Sequence, residues 1–473
     1  MNIKPVDVRH AGRYSVLAAI MLGSIMGPID ASIVNVILPT LTQFFGVHIS
    51  TAQWVPIIYL LTISSLLLFY GRLGDILGYK RVYLFGLAGF IIASGLCGLS
   101  PTIHWLILFR AIQGLGAGMM MAVPYAIITA SFPPTERGKA LGINAISISA
   151  GLAVGPSLGG FITSLLGWRF AFLINIPIGI IGLLWARHVI PELKGQPGKM
   201  DILGMMTAFV SLFSFLLFVN RFQGSGLSYA SGIMLLIAAL AAISFLRAES
   251  KVRQPMLNLS LFRNMTFSFA NISALLNFMS QYVMVFLTPF YLQRVLHYAP
   301  NHLGLIMTSF PLAVMAVAPF SGSLSDRIGT RALACSGAAT CALSLFFMSQ
   351  LPAWASSVDV VWRLALFGLG TGIFQSPNIS AVMGSAPKPH LGIASGILAT
   401  MRNVGMVLGI TTAGAVLYAF APSYILQKAS LELSESALFL SGLKYAYLAG
   451  AILTGLASVT SLIRGKEERI EHG

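Results

Sequence analysis

Three ionisable side chains stand inside long apolar runs of this 473-residue chain: Asp30, Arg110 and Arg402. A charge at the centre of a membrane-crossing helix costs about 2.5–3.5 kcal/mol on insertion scales, so each of the three needs a partner or water. A desolvated carboxylate takes up a proton more readily than one in water, which suits Asp30 to loading and releasing a proton as access to it alternates. The plainer reading is that Asp30 pairs with a buried arginine and serves packing alone. Asp30 lies about sixteen residues into its run, roughly 24 Å along a helix at about 1.5 Å per residue, in the outer half of a membrane. Arg110 shares one helix face with Gln113, Gly114 and Ala117, with Met121 on much the same side. On physical grounds it is a hydrogen-bonding strut to Gln113 or to backbone carbonyls. Arg402 shares a face with Gly405 and Gly409, near enough to the end of its run for the side chain to snorkel.

Asp30 has no acidic counterpart later in the chain. Its approximate equivalent is Ser280 or Gln281, and there Ser273, Asn277 and Gln281 form an uncharged polar stripe at i, i+4 and i+8. Proton chemistry is therefore expected in the N-terminal half, with a second half that binds without titrating. Asp30, Gln113, Met121, Asn277, Gln281 and Arg402 form the candidate lining of a substrate cavity. Thirty Phe and twenty Met residues could supply adaptable apolar walls.

Long apolar helices must position these groups. Only 9% of residues are charged and 56% are hydrophobic, and the mean hydropathy is +0.83, which excludes a soluble globular protein of this length. A span needs about 20 apolar residues. The fourteen candidates are 14–38, 54–70, 82–99, 105–125, 140–165, 170–189, 202–219, 229–246, 267–292, 302–323, 332–350, 360–384, 391–420 and 438–463. Runs of this length are helices, because barrel strands are short and alternate, and lipid offers unpaired backbone groups no partner. With the N-terminus inside, twenty-one Lys and Arg fall on cytoplasmic segments and six on outer ones, which puts both chain ends in the cytoplasm. The first run is too long for the core of a signal peptide and has no clean cleavage site, so it is read as span 1. The basic excess is spread over short loops, which argues against nucleic acid as a partner. Cys97, Cys335 and Cys341 match no disulfide or metal spacing and read as small packing residues.

The chain also looks duplicated. GRLGDILGYKR at 71–81 returns as GSLSDRIGTR at 322–331, with Gly71, Leu73, Asp75 and Gly78 falling on Gly322, Leu324, Asp326 and Gly329 at an offset of 251. RAIQGLGAG from Arg110 returns as LALFGLGTG from Leu364 at an offset of 254, and Gly151 and Gly155 fall on Gly405 and Gly409 at that same offset. Spans 1–6 correspond to spans 9–14 in the same direction, the parallel repeat of a two-bundle transporter. The expected fold is an all-α integral membrane protein with 14 transmembrane helices. An N-terminal six-helix bundle covers 1–195, two inserted and peripheral central helices cover 196–250, and a C-terminal six-helix bundle covers 251–473. In span 5, Gly151, Gly155 and Gly159 at steps of four clear one face for a neighbouring helix, and Pro156 predicts a kink. Asp75, at the inner end of span 2, can pair with basic residues or a helix N-terminus.

Four of these segments resemble the signature motifs of the major facilitator superfamily: PIDASIVNVILP (28–39), GRLGDILGYKR, RAIQGLGAG and GLAVGPSLGG (151–160). Together with WRFAFLINIPIG (168–179) and the two extra central helices, they make the chain similar to the fourteen-span drug:proton antiporter family, a branch rich in multidrug exporters. The resemblance covers nearly the whole chain and is specific to the fold rather than to the substrate. It implies a conformational latch at Gly71, Asp75, Gly78 and Arg81, repeated more weakly around Asp326, where Thr330 replaces a basic residue. It implies that Gly151, Gly155, Pro156 and Gly159 mark an exporter, and that Arg110 acts with Asp30 in proton transfer.

The reading is a non-enzymatic antiporter of the bacterial inner membrane that exports hydrophobic or amphipathic small molecules such as drugs, dyes or toxic metabolites. Its energy source is the proton gradient, with no cofactor and no metal. Its partners are a small-molecule substrate, protons and the lipid bilayer, and the resemblance permits a periplasmic adaptor protein. The alternatives are a dedicated metabolite or siderophore exporter and a proton-coupled importer. A membrane enzyme or receptor fits less well, because the sequence has no catalytic triad, no metal cluster and no phosphate loop in a strand–helix context.

Overall fold

The computed structural model describes residues 10–133, 137–192, 202–225, 228–249, 259–387, 391–421, 425 and 433–464. Among these, every long regular element is an α-helix. They are α1 (His10–Phe45), α2 (Ile49–Ala52), α3 (Trp54–Leu77), α4 (Tyr79–Gly98), α5 (Ile103–Ala122), α6 (Pro124–Ser131), α7 (Arg137–Leu166), α8 (Phe170–Leu173), α9 (Asn175–Val189), α10 (Ile202–Ser225), α11 (Tyr229–Glu249), α12 (Met265–Arg294), α13 (Pro300–Ile328), α14 (Thr330–Met348), α15 (Ser357–Gly384), α16 (Leu391–Phe420) and α17 (Leu433–Ile463). Twelve helices among the described residues are long and apolar enough to cross a membrane. Two shorter apolar stretches, Val154–Leu166 and Met206–Phe215, lie in α7 and α10 at the positions of the fifth and seventh expected spans.

Helix ends differ from the apolar runs in ways the backbone explains. The fourth run is divided at Val123, because Pro124 has no N–H to continue the ladder and instead starts α6. Pro156 leaves α7 assigned as one helix from Arg137 to Leu166. The two loops of the repeat are single-residue turns. Gly78 has φ 93° and ψ 135° between α3 and α4, and Gly329 has φ 90° and ψ 157° between α13 and α14. Each donates its N–H four residues back, to Gly74 and Ser325 respectively. A side chain at such φ is strained, so the sequence repeat is also a backbone repeat.

The helices form two compact units. The first holds the chain up to Phe218, Gly232–Ala248 of α11, and Tyr298–Leu305 at the start of α13; the second holds Val219–Ser231, Glu249–His297 and Ile306 onward. In the first unit α1 packs on α7, and α5 packs on both α3 and α4. The glycine face of α7 is filled by α1: a Cβ at Gly151 would lie 2.9 Å from the Ile25 carbonyl oxygen, one at Gly155 would collide with Ser32 Oγ, and one at Gly159 would lie 3.1 Å from Ile33 Cα. In the second unit a Cβ at Gly405 of α16 would lie 2.7 Å from the Leu275 carbonyl oxygen of α12, and one at Gly409 would collide with that of Met279. The crossing of α4 and α5 recurs as the crossing of α14 and α15. A Cβ at Gly116 would lie 2.7 Å from the Gly86 carbonyl oxygen, and one at Gly370 would lie 2.8 Å from that of Gly337. In α11, Leu235, Leu236, Leu240, Ile243 and Leu246 are exposed, while Ser211 Oγ of α10 donates to the Ala238 carbonyl at 3.2 Å.

Candidate functional site

Asp30 sits in the middle of α1 with its side chain 0% exposed, and so does Arg110 on α5. Arg110 Nη1 donates to Asp30 Oδ2 at 2.5 Å and to Gln113 Oε1 at 2.5 Å. The Gln113 amide nitrogen, thus directed away from the guanidinium, donates to Asp30 Oδ1 at 3.0 Å and to Ser94 Oγ of α4 at 2.7 Å. Asn175, the first residue of α9, donates to Asp30 Oδ1 at 3.0 Å and to Ser94 Oγ at 3.4 Å. Arg110 Nε donates to the Val55 carbonyl of α3 at 3.3 Å, and the guanidinium lies 3.9 Å from the centre of the Tyr59 ring. Five helices of the first unit therefore converge on one ion pair. Three donors on two oxygens match an ionised carboxylate, which accepts only. Asp30 is thus paired with a buried arginine, and Arg110 is a strut to both Gln113 and backbone.

The other candidates are dispersed. Met121 is half-buried, and its Sδ would lie 3.9 Å from a Cβ at Gly27. Asn277 and Gln281 of the second unit are buried, and Asn277 Nδ2 has no hydrogen-bond partner among the described residues. Ser273, on the same stripe, bonds Thr460 at 2.7 Å and Ser461 at 3.1 Å on α17. Arg402 is half-buried, its Nε without a hydrogen-bond partner among the described residues. Asp30, Gln113, Asn277 and Gln281 are all buried.

At the first loop, Asp75 Oδ1 accepts from the Tyr79 hydroxyl at 2.5 Å. Arg81 is exposed, and Lys80 pairs with Glu192 at 3.4 Å. Gly71 has nothing within 4 Å of a would-be Cβ. The side chain of Asp326 lies outside the described residues.

Sequence reasoning missed Asn175, Ser94 and Tyr59, although Asn175 is the one amide inside the WRFAFLINIPIG segment. It also counted only three buried ionisable groups. Arg294 and Arg464, placed at helix ends, are buried as well. Their long side chains fold back: Arg294 lies 5.3 Å from the Phe290 ring centre, and Arg464 donates to Thr330 Oγ1 at 2.5 Å and to Asn378 Oδ1 at 3.4 Å.

The family model for the Major Facilitator Superfamily matches residues 20–410 and again 270–470. The chain belongs to the major facilitator superfamily. This major facilitator protein is 35% identical over 399 residues to the riboflavin transporter RibZ of Clostridioides difficile (strain 630), covering 84% of this chain and 86% of that protein. It is 33% identical over 409 residues to the multidrug resistance protein Stp of Mycobacterium tuberculosis (strain CDC 1551 / Oshkosh), covering 85% and 76%. It is 29% identical over 424 residues to the multidrug transporter protein MdtP of Bacillus subtilis (strain 168), covering 89% and 78%. A bacterial homologue of the human lysosomal transporter Spinster shares the fold, with a TM-score of 0.69 at 16% identity over 97% of this chain and 98% of that one. Family and apolar helices together make the chain a multi-pass membrane transporter and not an enzyme.

Proposed function

We propose that this transporter is a fourteen-span proton-coupled exporter of hydrophobic or amphipathic small molecules, with Asp30 as the proton-binding group and Arg110 as its counter-ion. The observation that carries the reading is the fully buried Asp30–Arg110 pair, satisfied by amides from two helices, in a chain whose relatives include named multidrug proteins. A buried carboxylate that gains a proton releases its hold on the guanidinium, so protonation and rearrangement of α1 against α5 are coupled. The twenty-one-to-six distribution of basic residues supports an inner-membrane orientation with both chain ends cytoplasmic. The sequence repeat supports bundles over 1–195 and 251–473 flanking two inserted helices at 196–250. Substrate then passes by alternating access, with Met121 and Arg402 the two lining candidates that are half-buried rather than buried.

Asp30→Asn tests the coupling. Breaking a buried pair by removing one partner costs about 3–5 kcal/mol, so this variant alone mixes stability with function. Asp30→Asn combined with Arg110→Gln removes both charges and is expected to regain thermal stability while staying unable to drive dye efflux with a pH gradient in proteoliposomes. Recovery of both stability and pH-driven transport in the double variant would reduce the pair to packing.

A second reading has its own support in the likeness to a riboflavin transporter. It makes the chain a carrier for one metabolite. Riboflavin and a cationic dye offered in parallel to energised vesicles separate the two: uptake or export of riboflavin alone favours the dedicated carrier.

A further inference from the structure

Two side-chain amides hold Asp30 Oδ1, and they are not equivalent. Gln113 is held at both ends, its oxygen by Arg110 Nη1 and its nitrogen by Asp30 and Ser94. Turning that amide over would aim an N–H group at the guanidinium. Among the described residues Asn175 is held only through Nδ2, which reaches Asp30 and Ser94; its Oδ1 takes no part in the cluster. Asn175 is 1% exposed, so neither orientation is shared with bulk solvent.

We propose that Asn175 is the positioning residue that lets Asp30 hold two protonation states: it donates Nδ2–H to the carboxylate, and turns its amide to accept through Oδ1 once that carboxyl carries a proton. This deepens, and rests on, the reading of Asp30 as the proton-binding group. The incoming proton bonds to Oδ1 of Asp30, the pair's charge rises from zero to +1, and no other covalent bond changes. An amide suits the task because it offers both a donor and an acceptor from one terminus by rotation about a single bond. The titratable groups around the carboxyl are Arg110 of α5, Tyr59 of α3 across the guanidinium, and Cys97 of α4, whose Sγ lies 3.7 Å from Gln113 Oε1. α8 brings none; Arg187 and His188 of α9 lie in its last turn, and Arg137 and Lys139 of α7 in its first.

Asn175→Leu keeps the branched shape, though with a bulkier side chain, and removes both hydrogen bonds. A bond to the charged form is worth more, about 1.5–3 kcal/mol against about 0.5–1.5 for a neutral one, so the ionised state loses more and protonation becomes easier. The measurement is the carboxylic-acid C=O band in difference infrared spectra of purified full-length protein, titrated with pH and requiring no substrate. The expected result is a midpoint about one pH unit higher than wild type. Asp30→Asn, measured alongside, must remove one component of the band, the other carboxyls supplying the rest; a band left unchanged overturns the reading of Asp30 itself. A component that Asp30→Asn removes but whose midpoint Asn175→Leu leaves unmoved, or lowers, overturns the role of Asn175 alone. Asn175→Ala, which cannot overpack, gives the same readout where the leucine variant does not insert.

Discussion

Asp75 shows how one residue can serve a local bond and a wider charge at once. Its Oδ1 accepts from Tyr79 across the Gly78 turn, a bond that Asn could also accept. Asp75→Asn therefore preserves the turn and deletes the charge, while Tyr79→Phe deletes the bond and preserves the charge. If the carboxylate latches one transporter state, Asp75→Asn should cut transport at least tenfold with normal membrane insertion, and Tyr79→Phe should stay within about twofold of wild type, a tenfold change corresponding to about 1.4 kcal/mol. Equal losses in the two variants would confine Asp75 to the turn. The same contrast explains which site residues were legible in the sequence. Asp30 and Arg110 announced themselves because a charge in an apolar run needs a reason. Asn175, Ser94 and Tyr59 did not, because amides, hydroxyls and phenols occur throughout such runs and become informative only when folding brings them to one carboxylate. Arg294 and Arg464 were hidden for the opposite reason, since positions at helix ends suggest solvent while flexible stems allow burial.

At the scale of elements, crossings of helices at glycine carry the precision that apolar composition lacks. In α5 an Ala at 116 would put its Cβ 2.5 Å from Phe90 N and 2.7 Å from the Gly86 carbonyl, both backbone atoms of α4 that cannot turn away. In α4 an Ala at 89 would meet only Gly116 Cα at 3.8 Å, an ordinary contact. Gly116→Ala is thus expected to separate α4 from α5 and lower stability by about 1–3 kcal/mol, the usual range for overpacking. Gly89→Ala should be neutral or slightly stabilising in the helix. Thermal unfolding of the two purified variants checks this, and equal melting temperatures would contradict the crossing. The helices themselves were readable, since each expected span coincides with helical residues. Their ends were less so, because a helix continues past its apolar run to a Gly, as at Gly78 and Gly329, or breaks within the run at a Pro, as at Val123–Pro124. The span 5 glycines were legible as a close-packed face but not as the seat of α1, which only the folded contacts show.

At the scale of the whole molecule, duplication is the feature that sequence and structure express in the same residues. Positive-φ glycines at 78 and 329 stand 251 residues apart. The glycine pairs 86–116 and 337–370 make the same crossing, and Gly151–Gly155 and Gly405–Gly409 press on α1 and α12 respectively. What the repeat does not copy is chemistry: Arg110 and Gln113 fall on Leu364 and Phe367, and the second unit puts Asn277 beside Cys341 instead of a charged pair. Duplication thus fixed the scaffold while the polar interior diverged. A parallel repeat has a topological consequence that an inverted one does not, since both copies of a loop must then emerge on one face of the membrane. Single cysteines at Arg81 and at Arg331, each the basic residue closing its loop, are suited to testing it, in a background with Cys97, Cys335 and Cys341 replaced. Arg81 is exposed and Arg331 lies in the first turn of α14, also exposed, so both can be reached by a reagent. In intact cells both should resist an impermeant thiol reagent and both should react once the membrane is opened. Protection of one with labelling of the other would break the parallel repeat, and labelling of both from outside would keep the repeat but reverse the orientation inferred from the basic residues.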